Sequence, residues 1–211
     1  MTLKPYKTLL TRASDEFIIN KSRFIGYGAP AASEEEALGF LADVRSAHKD
    51  ASHHCYAYII GANMGVMRYS DDGEPGGTAG MPIIEVMKAR QITNTCVVVV
   101  RYFGGVLLGA GGLTRAYSQG AATAINAAGV GEVSPTRRYL MEVPYPMLGR
   151  VEYLLKSLPV IVEDKQFSDA IVMTLIVRAR DDEAFLSAVT SGTDGRIEPI
   201  FMEEMYKAWT E

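Results

Sequence analysis

The chain has few of the residues that usually announce a chemical site. Its 211 residues include two cysteines, three histidines and one tryptophan. Cys55 and Cys96 are too far apart for the Cys-x-x-Cys spacing of zinc and redox sites. Both lie in strand-like apolar runs, so buried, reduced, non-catalytic thiols are expected, as suits a reducing cytosol. No apolar run reaches the roughly 18 residues that a membrane-spanning helix needs. The opening Met1-Thr2-Leu3-Lys4-Pro5-Tyr6 lacks the apolar core of a secretory signal, and a cytoplasmic protein is expected. Internal repeats, low-complexity tracts, heptads and basic amphipathic helices are also missing. That argues against solenoids, coiled coils and membrane-surface anchors.

Charge of one sign is lacking too. The net formal charge is −4, with 21 basic and 25 acidic residues. Residues 1–131 hold 12 Lys and Arg against 11 Asp and Glu, whereas residues 132–211 hold 9 against 14. The acidic second part is a poor candidate for gripping a phosphate backbone. The first part needs a local basic patch to do so. With 48% hydrophobic and 22% charged residues, the chain can build a core and is not expected to be disordered.

Glycine is abundant and concentrated. Nine of the 20 glycines fall between Gly73 and Gly112. Such density points to tight turns or close backbone approach. The run Thr95–Phe103 reads as a buried strand. From Leu113 the spacing becomes helical, with Ala116, Tyr117, Gly120, Ala121, Ala124, Ile125 and Ala128 on the same face. A strand, a glycine loop and a helix therefore follow one another. Free amides of Gly104, Gly105, Gly109, Gly111 and Gly112 beside a helix start suit an anion, with Arg101 and Arg115 as charged partners. The same glycines also suit simple close packing of helix on strand. The P-loop signature fails, because Leu113 and Thr114 follow Gly112. The dinucleotide fingerprint fails because Thr114 stands at its third glycine.

Three segments in this region carry a family resemblance: Asp71-Asp72-Gly73-Glu74-Pro75 through Thr78-Ala79-Gly80, then Val100-Arg101-Tyr102-Phe103-Gly104-Gly105, then Leu108-Gly109 through Gly112-Leu113 and Arg115-Ala116-Tyr117. Together they resemble the YigZ/Impact family. Lys21–Ile25 and Ala51–Tyr58 extend the resemblance upstream. Two positions depart from the family pattern: Gly77 stands where serine is common, and Met81 where a basic residue is common. The second departure removes a possible phosphate contact. The resemblance implies an α+β protein whose first domain is like the second domain of a small-subunit ribosomal protein. It implies a second domain like the carboxy-terminal domain of elongation factor G, and a role around translation.

The order of elements supports a two-domain reading without that resemblance. Thr8–Leu10 and Phe17–Ile19 read as strands joined near Ser14-Asp15, and Ser22–Ala29 as a third. Ser33 and Glu36 form a capping box for a helix that ends near Ala47. Strands follow at His53–Gly61 and Val66–Ser70, and a helix begins at Pro82. Gly129, Gly131, Ser134 and Pro135 read as a break, which places an Impact-like domain at 1–131 and a second at 135–211. The second part runs strand Tyr139–Val143, helix from Pro146, strands Val160–Phe167 and Ala170–Ala179, helix from Asp181 or Asp182, and strand Arg196–Met205. That order, βαββαβ, is the ferredoxin-like pattern.

Candidate site residues divide into three groups. Asp71, Asp72 and Glu74, with Thr78, form an acidic loop suited either to a hard cation or to bracing a turn. His53 and Cys55 share one strand face and His54 takes the other, so a compact metal site is not expected, and a polar contact is the expected histidine role. Lys21, Arg23, Arg101 and Arg115, with Tyr102 and Phe103 among them, suit single-stranded nucleic acid. The aromatic pair reads more readily as core. The expectation is a binding protein with no chemistry, metal or cofactor of its own, whose partner is RNA, the ribosome or a protein. The rival reading is an enzyme or small-molecule binder that uses the glycine loop for a phosphate-bearing ligand.

Overall fold

A computed structural model describes residues 4–210. The chain divides into two compact units between Val133 and Ser134, and the last residues, from Ala208, belong with the first unit.

The first unit contains β1 (Tyr6–Leu9), β2 (Ala13–Ile19), β3 (Ser22–Pro30), α1 (Glu34–Ala47), β4 (His53–Ile60), β5 (Val66–Ser70), α2 (Gly80–Ala89), β6 (Thr95–Tyr102) and α3 (Gly109–Ala128). Its main sheet has the order β2-β3-β6-β4-β5, and every neighbouring pair is antiparallel. The central strand β6 alternates between two cores. Val97 and Val99 pack with residues of α2 and α3, and Cys96, Val98 and Val100 pack with residues of α1. Burial on both faces explains why β6 reads as an unbroken apolar run. Among the described residues, both cysteines are free and buried, and no helix is long and apolar enough to cross a membrane.

The second unit carries most of β7 (Val130–Val143), then α4 (Leu148–Lys156), β8 (Val160–Phe167), β9 (Ile171–Arg178), α5 (Asp182–Gly192) and most of β10 (Ile200–Thr210). Its strand order, β10-β7-β9-β8, is that of the ferredoxin-like βαββαβ fold. Tyr139, Met141, Leu175, Val151 and Phe185 share its core.

Several local expectations need correction. Ser14 and Asp15 lie inside β2, paired with Tyr27 and Gly26, because the exposed edge of the sheet tolerates polar residues. Residues 129–135 are not an irregular break. From Val130 the chain is strand β7, and Val130–Val133 pairs with Leu9–Tyr6. A short 3-10 turn at Tyr145–Met147 precedes α4, and β10 begins at Ile200 rather than Arg196. The largest difference concerns α3. It starts at Gly109, four residues before the expected Leu113. Glycine's poor helix propensity hides that start in the sequence.

Candidate functional site in the first unit

The site is assembled by strand register. Arg101 on β6 lies opposite Phe24 on β3 and His53 on β4. All three project toward the face covered by α2 and α3, the same side as Val99 and Cys55. Across that face, Arg101 Nη1 donates to Glu74 Oε1 at 2.6 Å. Both side chains are about 5% exposed or less. The Tyr117 hydroxyl, from α3, donates to the same carboxylate oxygen at 2.7 Å. The guanidinium carbon lies over the Phe24 and Phe103 rings at 5.4 and 5.3 Å.

The acidic loop is a brace. Asp71 Oδ1 accepts the amides of Ala79 and Gly80, at 3.0 and 2.8 Å, and Oδ2 accepts that of Gly77 at 2.8 Å. It thus caps α2 from nine residues away. Asp72 Oδ2 accepts the His54 amide at 2.7 Å, and Oδ1 pairs with Arg45 at 2.8 Å. Thr78 is buried and donates its hydroxyl to the Pro75 carbonyl. Among the described residues no group of three or more His, Cys, Asp or Glu side chains is placed to hold a metal ion.

The histidines separate as strand alternation requires. His53 Nδ1 lies 2.8 Å from the Asp72 carbonyl, so it carries the proton there. Its Nε2 faces Glu74 Oε1 at 3.8 Å. On the opposite face, His54 Nε2 lies 3.0 Å from the His48 carbonyl. His48 itself sits between the hydroxyls of Tyr27 and Tyr102, at 2.6 and 2.8 Å. Burial, and then the neighbouring His54, pull the His48 pKa down.

A cavity of about 440 Å³ opens beside the Arg101–Glu74 pair. His53, Glu74 and Arg101 lie at its polar end, and Phe103, Leu107 and Leu108 form apolar wall. Gly109 and Ala110, the first residues of α3, also line it. No side chain caps that helix start. Its first amides therefore lack intrahelical acceptors. Gly109 has φ +67 and open space around it, so it serves the turn into the helix and not packing. The close helix-to-strand approach falls elsewhere: a Cβ on Gly120 would meet Val99 at 2.7 Å.

The remaining candidates are spread out. Gly104 donates its amide to Ser22 Oγ, which also receives Arg101 Nη2 at 3.4 Å. Gly105 is exposed with φ +82. Gly111 and Gly112 belong to the first turn of α3 rather than to a loop. Lys21 occupies the β2–β3 turn with φ +65. Arg23 lies on the other face from Arg101, where it pairs with Glu16 and overlies Tyr102 at 5.7 Å. Arg115 is exposed and has no ion-pair or hydrogen-bond partner among the described residues. Its Nη1 would stand 3.7 Å from a Cβ on Gly111, beside the start of α3. Arg115 does not pair with the acidic loop, whose carboxylates are taken by Arg101, Arg45 and backbone amides. Phe103 is 48% exposed and is not core. Sequence reasoning missed Tyr117 and Leu107 as site residues. Tyr117 lies on the apolar stripe of its helix, and only its hydroxyl hinted at a polar partner.

Cys55 donates its thiol to the Asp71 carbonyl at 2.9 Å. Burial pushes its pKa well up, and the same cause acts on Tyr117. Both groups stay protonated near neutral pH.

The architecture defines a class: a two-unit α+β protein with an antiparallel sheet between helices, followed by a ferredoxin-like unit. The Impact N-terminal domain family matches residues 20–125, and a domain of unknown function, DUF1949, matches residues 141–196. The chain is 37% identical to the IMPACT family member YvyE of Bacillus subtilis, over 92% of this chain and 89% of that one. It is 41% identical to an IMPACT family member of Thermus thermophilus, over 85% and 98%. It is 32% identical to IMPACT family member YigZ of Escherichia coli, over 88% and 92%. A crystal structure described as that of a hypothetical protein superposes with a TM-score of 0.60 at 30% identity, covering 96% and 98%. The chain belongs to the IMPACT family.

Proposed function

We propose that the protein is a cytoplasmic binding protein without chemistry of its own, and that its first unit binds single-stranded RNA or an RNA segment of the ribosome. One observation carries this reading: an uncapped helix start and an exposed aromatic ring line one cavity, and Arg115, without a partner among the described residues, stands beside Gly111 in the first turn of that helix. Uncapped amides attract phosphate. Phe103 offers a stacking surface that accepts any base. Arg115 adds a free cation beside the amides of α3. The Cys55 thiol and the Tyr117 hydroxyl at this site are held protonated by burial, which favours a binding role for them over a nucleophilic one. The IMPACT family's resemblance to ribosome-associated folds gives the same direction by analogy.

The test is binding of a labelled single-stranded RNA to the full chain across a salt series. Binding that weakens with salt is expected. It should be reduced by Phe103→Ala with the melting temperature unchanged. Indifference of RNA binding to Phe103→Ala and Arg115→Ala would remove the site from this role. A second reading, a soluble phosphate-bearing small molecule, is favoured by the cavity's volume of about 440 Å³.

A further inference from the structure

Strand β10 forms an edge of its sheet. It pairs with β7 on one side and with no other strand among the described residues, so its outer edge offers backbone amides and carbonyls. At 11 residues it is long for an edge strand. Ile200, Phe201 and Met202 are each more than half exposed. Such an edge is a template for pairing with another strand unless its charges oppose the partner.

The charges on β10 are Glu203, Glu204 and Lys207. Glu203 lies on the Arg138 side of the sheet and Glu204 on the Arg137 side, as alternation requires. Lys207, four residues on, shares the face of Glu203. Arg138 Nη1 donates to Glu203 Oε1 and leaves Oε2. Lys207 has no ion-pair or hydrogen-bond partner among the described residues. Within one strand the two stand about 13 Å apart and do not meet.

A second copy brings them together. A two-fold axis perpendicular to the sheet lays one β10 antiparallel beside the other. Residues directly opposite then share a face, so odd positions meet odd and even positions meet even. The charges choose among the possible centres. Centring on Glu203 or Glu204 sets carboxylate against carboxylate, and centring on Lys207 sets ammonium against ammonium. Centring on Tyr206 leaves Lys207 opposite Met205. Centring on Met205 sets Glu203 opposite Lys207 twice. Met205 is also the midpoint of Ile200–Thr210, so this register uses the whole strand. It places Glu204 opposite Tyr206, with Arg137 still 3.7 Å from the carboxylate. It also sets the exposed Ile200–Met202 against Ala208–Thr210 of the second copy.

We propose that two copies of this chain associate through β10, antiparallel and centred on Met205. The occupant of the edge is a second copy because the strand is its own charge complement in this register. Main-chain hydrogen bonds supply the attraction, and the two Glu203–Lys207 pairs fix the register. The proposal is independent of the RNA reading.

Sedimentation velocity of the full chain over a concentration series tests it, and a dimer is expected. Lys207→Glu sets carboxylates face to face at both pairs. It should raise the dissociation constant about tenfold or more, with the melting temperature unchanged. Glu203→Lys should weaken the dimer as well. An equimolar mixture of the two variants restores opposite charges at every pair and should recover the dimer. Met205→Cys places two thiols opposite each other and should give a disulfide-linked dimer on mild oxidation, whereas Met202→Cys should not. This cross-link decides the register even where Glu203→Lys, which loses its contact with Arg138, folds poorly. A chain that is monomeric at every concentration overturns the proposal. A dimer indifferent to Lys207→Glu, or one in which Met205→Cys does not cross-link, overturns it too.

Discussion

Arg101 and Glu74 form a buried ion pair that connects the central strand to the loop before α2, 27 residues away in sequence. The carboxylate is also held by Tyr117, and the guanidinium lies between two aromatic rings. Breaking such a pair from one side strands a buried charge and costs about 3–5 kcal/mol. Glu74→Ala is expected to lose that much in denaturant unfolding. A double replacement, Glu74→Leu with Arg101→Met, should lose clearly less, because no lone charge remains. Equal losses in the single and double variants would mean that the pair contributes by packing alone.

Asp71 supports the neighbouring turn by a different means. Its two oxygens accept three backbone amides. Asp71→Ala leaves these donors without that acceptor and should cost about 1–3 kcal/mol. Asp71→Asn keeps one oxygen and should recover part of the loss. Amide exchange at Ala79 and Gly80 is the local readout, and both should exchange faster in the alanine variant. Unchanged exchange there would show that the carboxylate does not cap α2.

The buried thiols set a pH dependence on the alkaline side. Burial pushes Cys96 up to about 12 from an ordinary value of 9.0, and it raises Cys55 in the same sense. The folded chain therefore keeps thiol protons that the unfolded chain releases. This contribution is fully present below pH 9 and is lost as pH rises toward 12. Tyr58 and Tyr139, pushed up to about 12 chiefly by burial, act in the same direction above pH 10. Stability measured by urea unfolding should fall steadily from pH 9 upward. Replacing Cys96 with alanine should flatten the slope near pH 10, and an unaltered slope would assign the decline to other groups.

Much of the fold was legible because it rests on local rules. Ser33 does accept the Glu36 amide, at 3.2 Å, although the Glu36 carboxylate returns to Ala32 rather than to Ser33. Strand alternation alone separates His53 and Cys55 from His54. The site was only partly legible, because its partners are distant. Nothing in sequence distinguishes Asp71, Asp72 and Glu74 as partners for an arginine. Tertiary packing brings Glu74 of the loop onto Arg101 and leaves Arg115 without a partner among the described residues. The start of α3 was hidden for a related reason: four residues of Gly-Ala-Gly-Gly have little intrinsic preference for a helix, and tertiary packing decides.

The division between the units offers a further check. We propose that residues 1–131 and 135–211 act as two domains, but the intervening segment is strand and not a slack linker. Hydrogen-bonded strand resists proteases. Limited digestion of the native chain should spare Val130–Val143, and amide exchange there should be slow. Early cleavage at Gly131 or Ser134 would show that this strand opens readily.

Arg115 separates the structural from the binding contribution of the site. It is the seventh residue of α3, beyond the first turn where a cation is disfavoured by the helix dipole. It is exposed and has no acid partner among the described residues, so its removal should leave the melting temperature unchanged. Its guanidinium lies beside Gly111, next to the uncapped amides. A phosphate at those amides would therefore gain a charge-assisted contact from Arg115. Arg115→Ala should weaken RNA binding across sequences and lower the salt slope by about 1. Arg115→Lys should keep the slope and recover only part of the affinity, since it retains charge but not the planar fork. A fall in melting temperature with binding intact would instead make Arg115 a structural residue, and the anion site would then have to be sought away from α3.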